Sequence, residues 1–233
     1  MRNEPTEIVI DGDIRVALKR SARARRMTLR VARAGGAVVL TLPARISVEE
    51  ARAFAQSRAE WLRQTRGKMA AVQRVGLGVQ IPVRGQFLRV TAAAQRRISV
   101  SGDMLLIPEG RPAGAVVTAW LKHIARDDLV RACDRYAAQI GLSYRAISLR
   151  DTRSRWGSCT HDGRLMFSWR LAMAPPEVLD YVAAHEVAHL RHMDHSAAFW
   201  SLTGSLMPDY APRRDWLRTQ GHLLQAWVFD DSD

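Results

Sequence analysis

Tyr181-Val182-Ala183-Ala184-His185-Glu186-Val187-Ala188-His189-Leu190 is the stretch that decides how the other 223 residues are read. Its polar members follow the pattern His-Glu-x-x-His inside an apolar run. Residues four apart on a helix project from the same face, so the imidazoles of His185 and His189 can reach one ion. Glu186 lies beside His185 and can contact a water on that ion. Zinc brings the pKa of such a water to about 7, where a carboxylate can accept its proton. The pattern arises by chance in on the order of one chain in a hundred, so two helix histidines without a metal are the competing reading. A catalytic zinc also needs a third protein ligand and an open position. His195, His192 and Asp194 are the downstream candidates, in that order. His192 falls a turn further along a continuing helix. His195 comes into range only if the chain turns back after Arg191, a turn that Asp194 or Ser196 could cap.

Working outward, Pro175-Pro176 opens this helix, as proline suits a first turn. Two more helices are predicted at about 196–206 and 210–224, with Pro208 and Pro212 around the gap. Upstream, a helix runs from about Val116 to Ile140 and is ended by Gly141. Between it and the His-Glu helix, 146–150 and 164–169 read as strands around a turn-rich segment. Toward the N-terminus, 7–10, 14–18, 27–32 and 37–42 are short β-branched runs, punctuated by Gly12, Gly35-Gly36 and Pro43. Ser47 and Glu50 form a capping box for a helix reaching about Arg66. Residues 79–83, 86–91, 97–100 and 104–107 are again strand-like. Pro108, Gly110, Pro112 and Gly114 then cluster, and the domain boundary is placed there. No internal repeat stands out in the sequence.

A second group of residues joins the first: Arg153-Ser154-Arg155-Trp156-Gly157-Ser158-Cys159, then Gly163, Trp169-Arg170-Leu171, Pro175, Tyr181-Val182, His195-Ser196-x-x-Phe199-Trp200, Pro208-x-Tyr210 and Trp216-Leu217. With the His-Glu-x-x-His stretch, this set resembles the YgjP-like metallopeptidase family, related to SprT-like and other gluzincin-type zinc peptidases. The likeness is strong over about 150–218 and looser upstream. The His-x3-His-x5-His spacing also occurs in the metzincins, but His192 stands where they have glycine. The resemblance implies Zn2+ held by His185, His189 and His195, with Glu186 as catalytic base. The family usually has Asn where this chain has Asp194.

The expected fold class is α+β: a basic β-rich N-terminal region over 1–112 with one helix, then a mostly helical zincin-like metallopeptidase domain with a small sheet over 113–233. The expected function is a zinc-dependent hydrolase of peptides or proteins. Tyr210 and Arg155 are candidate donors to substrate or oxyanion, and Arg170 is a further one. Gly157 is expected to let a strand pack closely beside the metal helix, and that strand's edge could pair with an extended peptide. Cys159 as a nucleophile lacks a base of established geometry. Asp180 is read as a possible partner of a ligand histidine or as an exposed carboxylate.

The chain holds 35 Lys+Arg and 23 Asp+Glu, a net of +12. Residues 1–150 carry 27 basic and 12 acidic residues, and 151–233 carry 8 and 11. A basic front suits nucleic acid or a phosphate-bearing ligand, with hydrolysis of a substrate such as a nucleotide as the alternative activity, or a nucleic-acid-associated protease. A solvated arginine-rich surface explains the same counts. Lys19-Arg20-Ser21-Ala22-Arg23-Ala24-Arg25-Arg26 is the best phosphate candidate, with no aromatic residue interleaved. No apolar run is long enough for a membrane span, and no secretory h-region follows the N-terminus. With two cysteines, the expected location is the cytoplasm.

Overall fold

The structure is a computed structural model that describes residues 6–31, 37–67 and 71–230. It is α+β, and the chain divides into two compact units, Met1–Val72 and Gln73–Asp233. The turn expected at Gly35-Gly36 lies outside the described residues.

In the first unit, β1 (Glu7–Ile10), β2 (Ile14–Ser21), β3 (Thr28–Val31) and β4 (Val38–Pro43) form one sheet in the order β1-β2-β4-β3. The central β2–β4 pair is parallel and the outer pairs are antiparallel. Asp11 and Gly12 take left-handed φ of 54° and 83° at the tight β1–β2 turn, where glycine relieves the steric cost. Alternation along the strands sends Ile8, Ile10, Ile14, Val16, Val38, Leu40 and Leu42 to one face. There they pack with Ala51, Ala55 and Leu62. The expected capping box is present: Ser47 Oγ accepts from the Glu50 N–H (3.1 Å), and Glu50 Oε2 accepts from the Ser47 N–H (2.9 Å). The single helix expected to Arg66 is instead two, α1 (Val48–Gln56) and α2 (Ala59–Gly67). At the break the Ser57 hydroxyl donates to the Phe54 carbonyl (2.8 Å), a local bond that competes with the helical ladder.

The second unit starts with β5 (Gln73–Arg74), followed by β6 (Gln80–Val83), β7 (Gln86–Ala93), β8 (Ser99–Ser101) and β9 (Met104–Pro108). The last four form a sheet in the order β6-β7-β9-β8, with β7–β9 parallel and the outer pairs antiparallel. This is the topology of the first unit's sheet. The repeat is one of topology, carried by apolar alternation rather than by matching residues, which is why no repeat stands out in the sequence.

Next come α3 (Ala113–Gln139), β10 (Ala146–Arg150), β11 (Gly157–Cys159), β12 (Arg164–Ser168), a 3-10 turn (Trp169–Met173), α4 (Pro176–Ala188), α5 (Ala197–Leu206), α6 (Tyr210–Gln225) and β13 (Trp227–Val228), which pairs with β5. Gly141 takes φ 65°, and its N–H and that of Leu142 return to the carbonyls of Ala138 and Ala137, ending α3 as expected. In the small sheet β12 lies between a parallel β10 and an antiparallel β11, leaving β11 at an edge.

The division of the chain falls at Val72, not at the Pro/Gly cluster near 112. The β6–β9 sheet shares one apolar core with α3 and α4. The β6–β7 turn is also tied to the site region: the N–H groups of Arg84 and Gly85 donate to the carbonyls of Ala172 (2.8 Å) and Met173 (3.3 Å). Arg84 forms a two-point pair with Asp128 on α3 (3.0 and 2.9 Å). A Cβ on Gly85 would lie 3.1 Å from Pro175 Cα. The proline and glycine cluster is a connection within one body.

Arg170 is a buried tie, not a free donor at the site. Its guanidinium donates to Asp151 (2.7 and 3.2 Å) and to the carbonyls of Leu224 and Trp227 (both 2.9 Å), and it stacks near Trp169 and Phe229. Arg170→Leu leaves two inward carbonyls without a donor. It is expected to destabilise the second unit by about 3 kcal/mol, read as a lower urea midpoint at unchanged slope. An unchanged midpoint would contradict this role.

Candidate metal centre

α4 is apolar nearly all round: Val178, Leu179, Tyr181, Val182, Ala183, Ala184, Val187 and Ala188 are buried. His185 projects from the helix, and His189 follows the last helical residue while keeping αR geometry (φ −65°, ψ −19°). The two therefore hold the four-residue register. The chain then turns. Asp194 Oδ1 accepts from the Ser196 N–H (3.2 Å), and Ser196 caps α5 by accepting from the Phe199 N–H (3.5 Å). This turn brings His195 back over the helix end.

His185, His189 and His195 each offer a ring nitrogen, and these atoms lie within 4.8 Å of one another. The Nε2 atoms of His185 and His195 are 3.2 Å apart. Two nitrogens bound to a tetrahedral zinc are separated by roughly 3.4 Å, given Zn–N bonds near 2.1 Å, so the donor set fits such an ion. His189 Nδ1 lies 2.9 Å from the His192 carbonyl; as the donor there, it leaves Nε2 as the lone-pair atom. Burial, then the two neighbouring imidazoles, then Arg214 push His185 down to about 3. Burial is also the first cause that lowers His189. Both rings are thus neutral at pH 7, the form that ligates.

Of the alternative ligands, His192 contributes its backbone carbonyl, and Asp194 contributes a turn-capping carboxylate held low by Ser196. Phe199, fully buried, stacks on His189 (4.4 Å between centroids) and meets His185 (4.9 Å) and His195 (4.8 Å) edge-on. It is the floor under all three imidazoles, a role the sequence reading assigned only as core. Trp200 stacks on His195 (5.7 Å) and Tyr210 (5.5 Å), and Tyr210 on Tyr181 (6.3 Å). Tyr210 is thus joined to the cluster through a ring stack.

Glu186 is 4% exposed, and its Oε2 has no hydrogen-bond partner. Burial pushes its carboxyl up to about 8, with exposed Arg155 pulling the other way. The carboxyl lies against β11: a Cβ on Gly157 would fall 2.4 Å from Glu186 Oε1. Only glycine admits this approach, as its place in the Trp-Gly-Ser-Cys run suggested. The preceding Trp156 lies against α6, where a Cβ on Gly221 would meet its ring at 2.9 Å. Cys159 is no nucleophile candidate. Burial and then Glu186 push its thiol up to about 11, and Sγ donates to the Thr160 carbonyl (3.4 Å). Asp180 accepts from the Tyr136 hydroxyl (2.5 Å) and from Arg135, tying α4 to α3 rather than serving a histidine. Among the described residues no second His/Cys/Asp/Glu group is placed to hold a metal ion.

The model of the YgjP-like metallopeptidase domain matches residues 25–220, most of the chain and parts of both units. The chain belongs to the YgjP-like metallopeptidase family. It is a metal-dependent peptidase. No curated protein matches it. Among solved structures, the metallopeptidase zymogen abylysin of Pyrococcus abyssi is similar at 17% identity and a TM-score of 0.37, over 40% of this chain and 93% of that one.

In this YgjP-like peptidase, Gly157→Ala drives a methyl group into the space of the Glu186 carboxylate. On the expectation that Glu186 is the catalytic base, displacing it by about 1 Å costs on the order of a hundredfold in rate. We expect that loss in cleavage of a mixed peptide library read by mass spectrometry, with metal content unchanged. Undiminished cleavage would contradict the packing.

Proposed function

We propose that this peptidase uses zinc, held by His185, His189 and His195, and that Glu186 is its general base. The observation that carries the reading is the convergence of three imidazoles within 4.8 Å of one another, at the end of the helix that also carries a buried carboxylate with an unpartnered oxygen. Zinc bound there would supply a Lewis acid for the scissile carbonyl and a more acidic water.

The chain's own residues do the remaining work. The charge of a bound zinc would favour the ionised form of Glu186 over the neutral form that burial favours; as a carboxylate it takes a proton from the attacking water and delivers it to the leaving amine nitrogen. Tyr210, fixed by its stacks, or Arg155 donates to the carbonyl oxygen as it gains charge. The β11–β12 register pairs Trp156 with Ser168 and Thr160 with Arg164 through backbone bonds. The backbone groups of Gly157 and Cys159 therefore face the open edge. An extended peptide can add there as a further strand, its backbone running past Glu186. Phe199 and the His192 carbonyl hold the imidazoles in orientation.

Cys133 and Cys159 are free thiols, in keeping with work in the cytoplasm. No helix among the described residues is long and apolar enough to cross a membrane.

The test is Glu186→Gln, which removes the base while nearly preserving shape. Peptide cleavage should fall by about 10²–10⁴, with zinc content and thermal unfolding unchanged. Cleavage at the wild-type rate would overturn the role of Glu186.

A further inference from the structure

The first unit carries charge out of proportion to its size. Residues 1–72 hold 15 basic and 7 acidic residues, a net of +8. Several arginines there are spent internally: Arg20 donates to the carbonyls of Ala44 and Ile46, Arg52 to that of Val9, Arg63 pairs with Asp11, and Arg15 with Glu7. Arg23, Arg25, Arg26, Arg45 and Arg58 are exposed and have no acidic partner among the described residues.

Two of these five line a groove of about 380 Å³ together with Met27, Leu29, Phe54 and Trp61. The groove runs between the sheet's edge strand β3, with the loop before it, and the α1–α2 pair. Its placement follows from the fold. Phe54, Arg58 and Trp61 recur at helical spacing across the Ser57 break, and they face the loop that holds Arg23, Arg25 and Arg26. Trp61 is 46% exposed although it is the largest side chain type, and buried Leu62 is the residue that anchors α2 instead. The arginine cluster has no aromatic neighbour in sequence, but the fold supplies two.

We propose that this groove binds single-stranded nucleic acid, independently of the peptidase centre. The wall alternates cations with flat apolar rings. A single strand alternates phosphates with flat bases, and every base can stack on an indole whatever its sequence. A duplex hides those faces. An acidic polypeptide would satisfy the arginines and leave the indole without a matching plane. Binding is therefore expected to combine salt-dependent phosphate contacts at Arg26, Arg58 and the 23–25 loop with stacking on Trp61.

The test is fluorescence anisotropy of a labelled oligothymidylate of about 12 nucleotides with the full chain. Three phosphate contacts give a log–log salt slope of about −2 for a single strand. Trp61→Ala should weaken binding roughly tenfold, Trp61→Phe should restore most of it, and Arg26→Glu with Arg58→Glu should abolish it. Far-UV circular dichroism of each variant should match the wild type, since all three side chains are exposed. No binding at about 50 mM salt would overturn the proposal. So would equal binding by the wild type and Trp61→Ala, equal affinity for a duplex, or displacement by polyglutamate as effective as by unlabelled strand. None of these readouts depends on peptide cleavage or on zinc.

Discussion

α4 has to bury itself among apolar neighbours while carrying two imidazoles and a carboxylate. α3, α5, α6, β11 and the 3-10 turn pack around it, and that is what sets the geometry of the site. A buried carboxylate without a hydrogen-bond partner is costly, of the order of several kcal/mol for an ionised group. The fold keeps Glu186 there all the same and leaves Gly157 without a side chain to make room. The same helix is pinned to α3 by Asp180, which engages Tyr136 and Arg135, and its N-terminal proline lies against the β6–β7 turn. Fixing α4 on several sides fixes the direction of His185 and Glu186. The Ser196-capped turn then has only to bring His195 over Phe199.

The parts of this arrangement that were legible in the sequence share a property: they are set by local periodicity or by one residue's backbone preference. The four-residue register of His185 and His189, the Ser47–Glu50 capping box, the Gly141 helix stop and most strand positions are of that kind. The return of His195 was also readable, because a helix that continued would have carried it away. What was not readable depended on partners distant in sequence. Asp180 is answered by Tyr136 and Arg135, more than forty positions earlier, and Arg170 by carbonyls of Leu224 and Trp227. Ser57 ends α1 through a hydroxyl bond to its own helix, a weak signal beside the apolar pattern that continues through Leu62.

The domain boundary shows the same limit more sharply. A proline- and glycine-rich stretch near 112 looks like a linker, yet β9 and α3 on its two sides share one core. The division at Val72 carries no such punctuation. The two units repeat one sheet topology with different surfaces. The first keeps an excess of arginine around an exposed tryptophan, and the second wraps its sheet into the helical body that holds the histidines. The family match over residues 25–220 takes in β3, β4, α1 and α2 of the first unit and most of the second.

The central claim is that His185, His189 and His195 form a single zinc site. Elemental mass spectrometry of the purified chain and of five single alanine variants tests it most directly. The account predicts about one zinc per chain, lost in His185→Ala, His189→Ala and His195→Ala and kept in His192→Ala and Asp194→Ala. A wild-type chain that takes up no zinc when it is supplied, or zinc that survives the loss of His195 but not of His192 or Asp194, would contradict it.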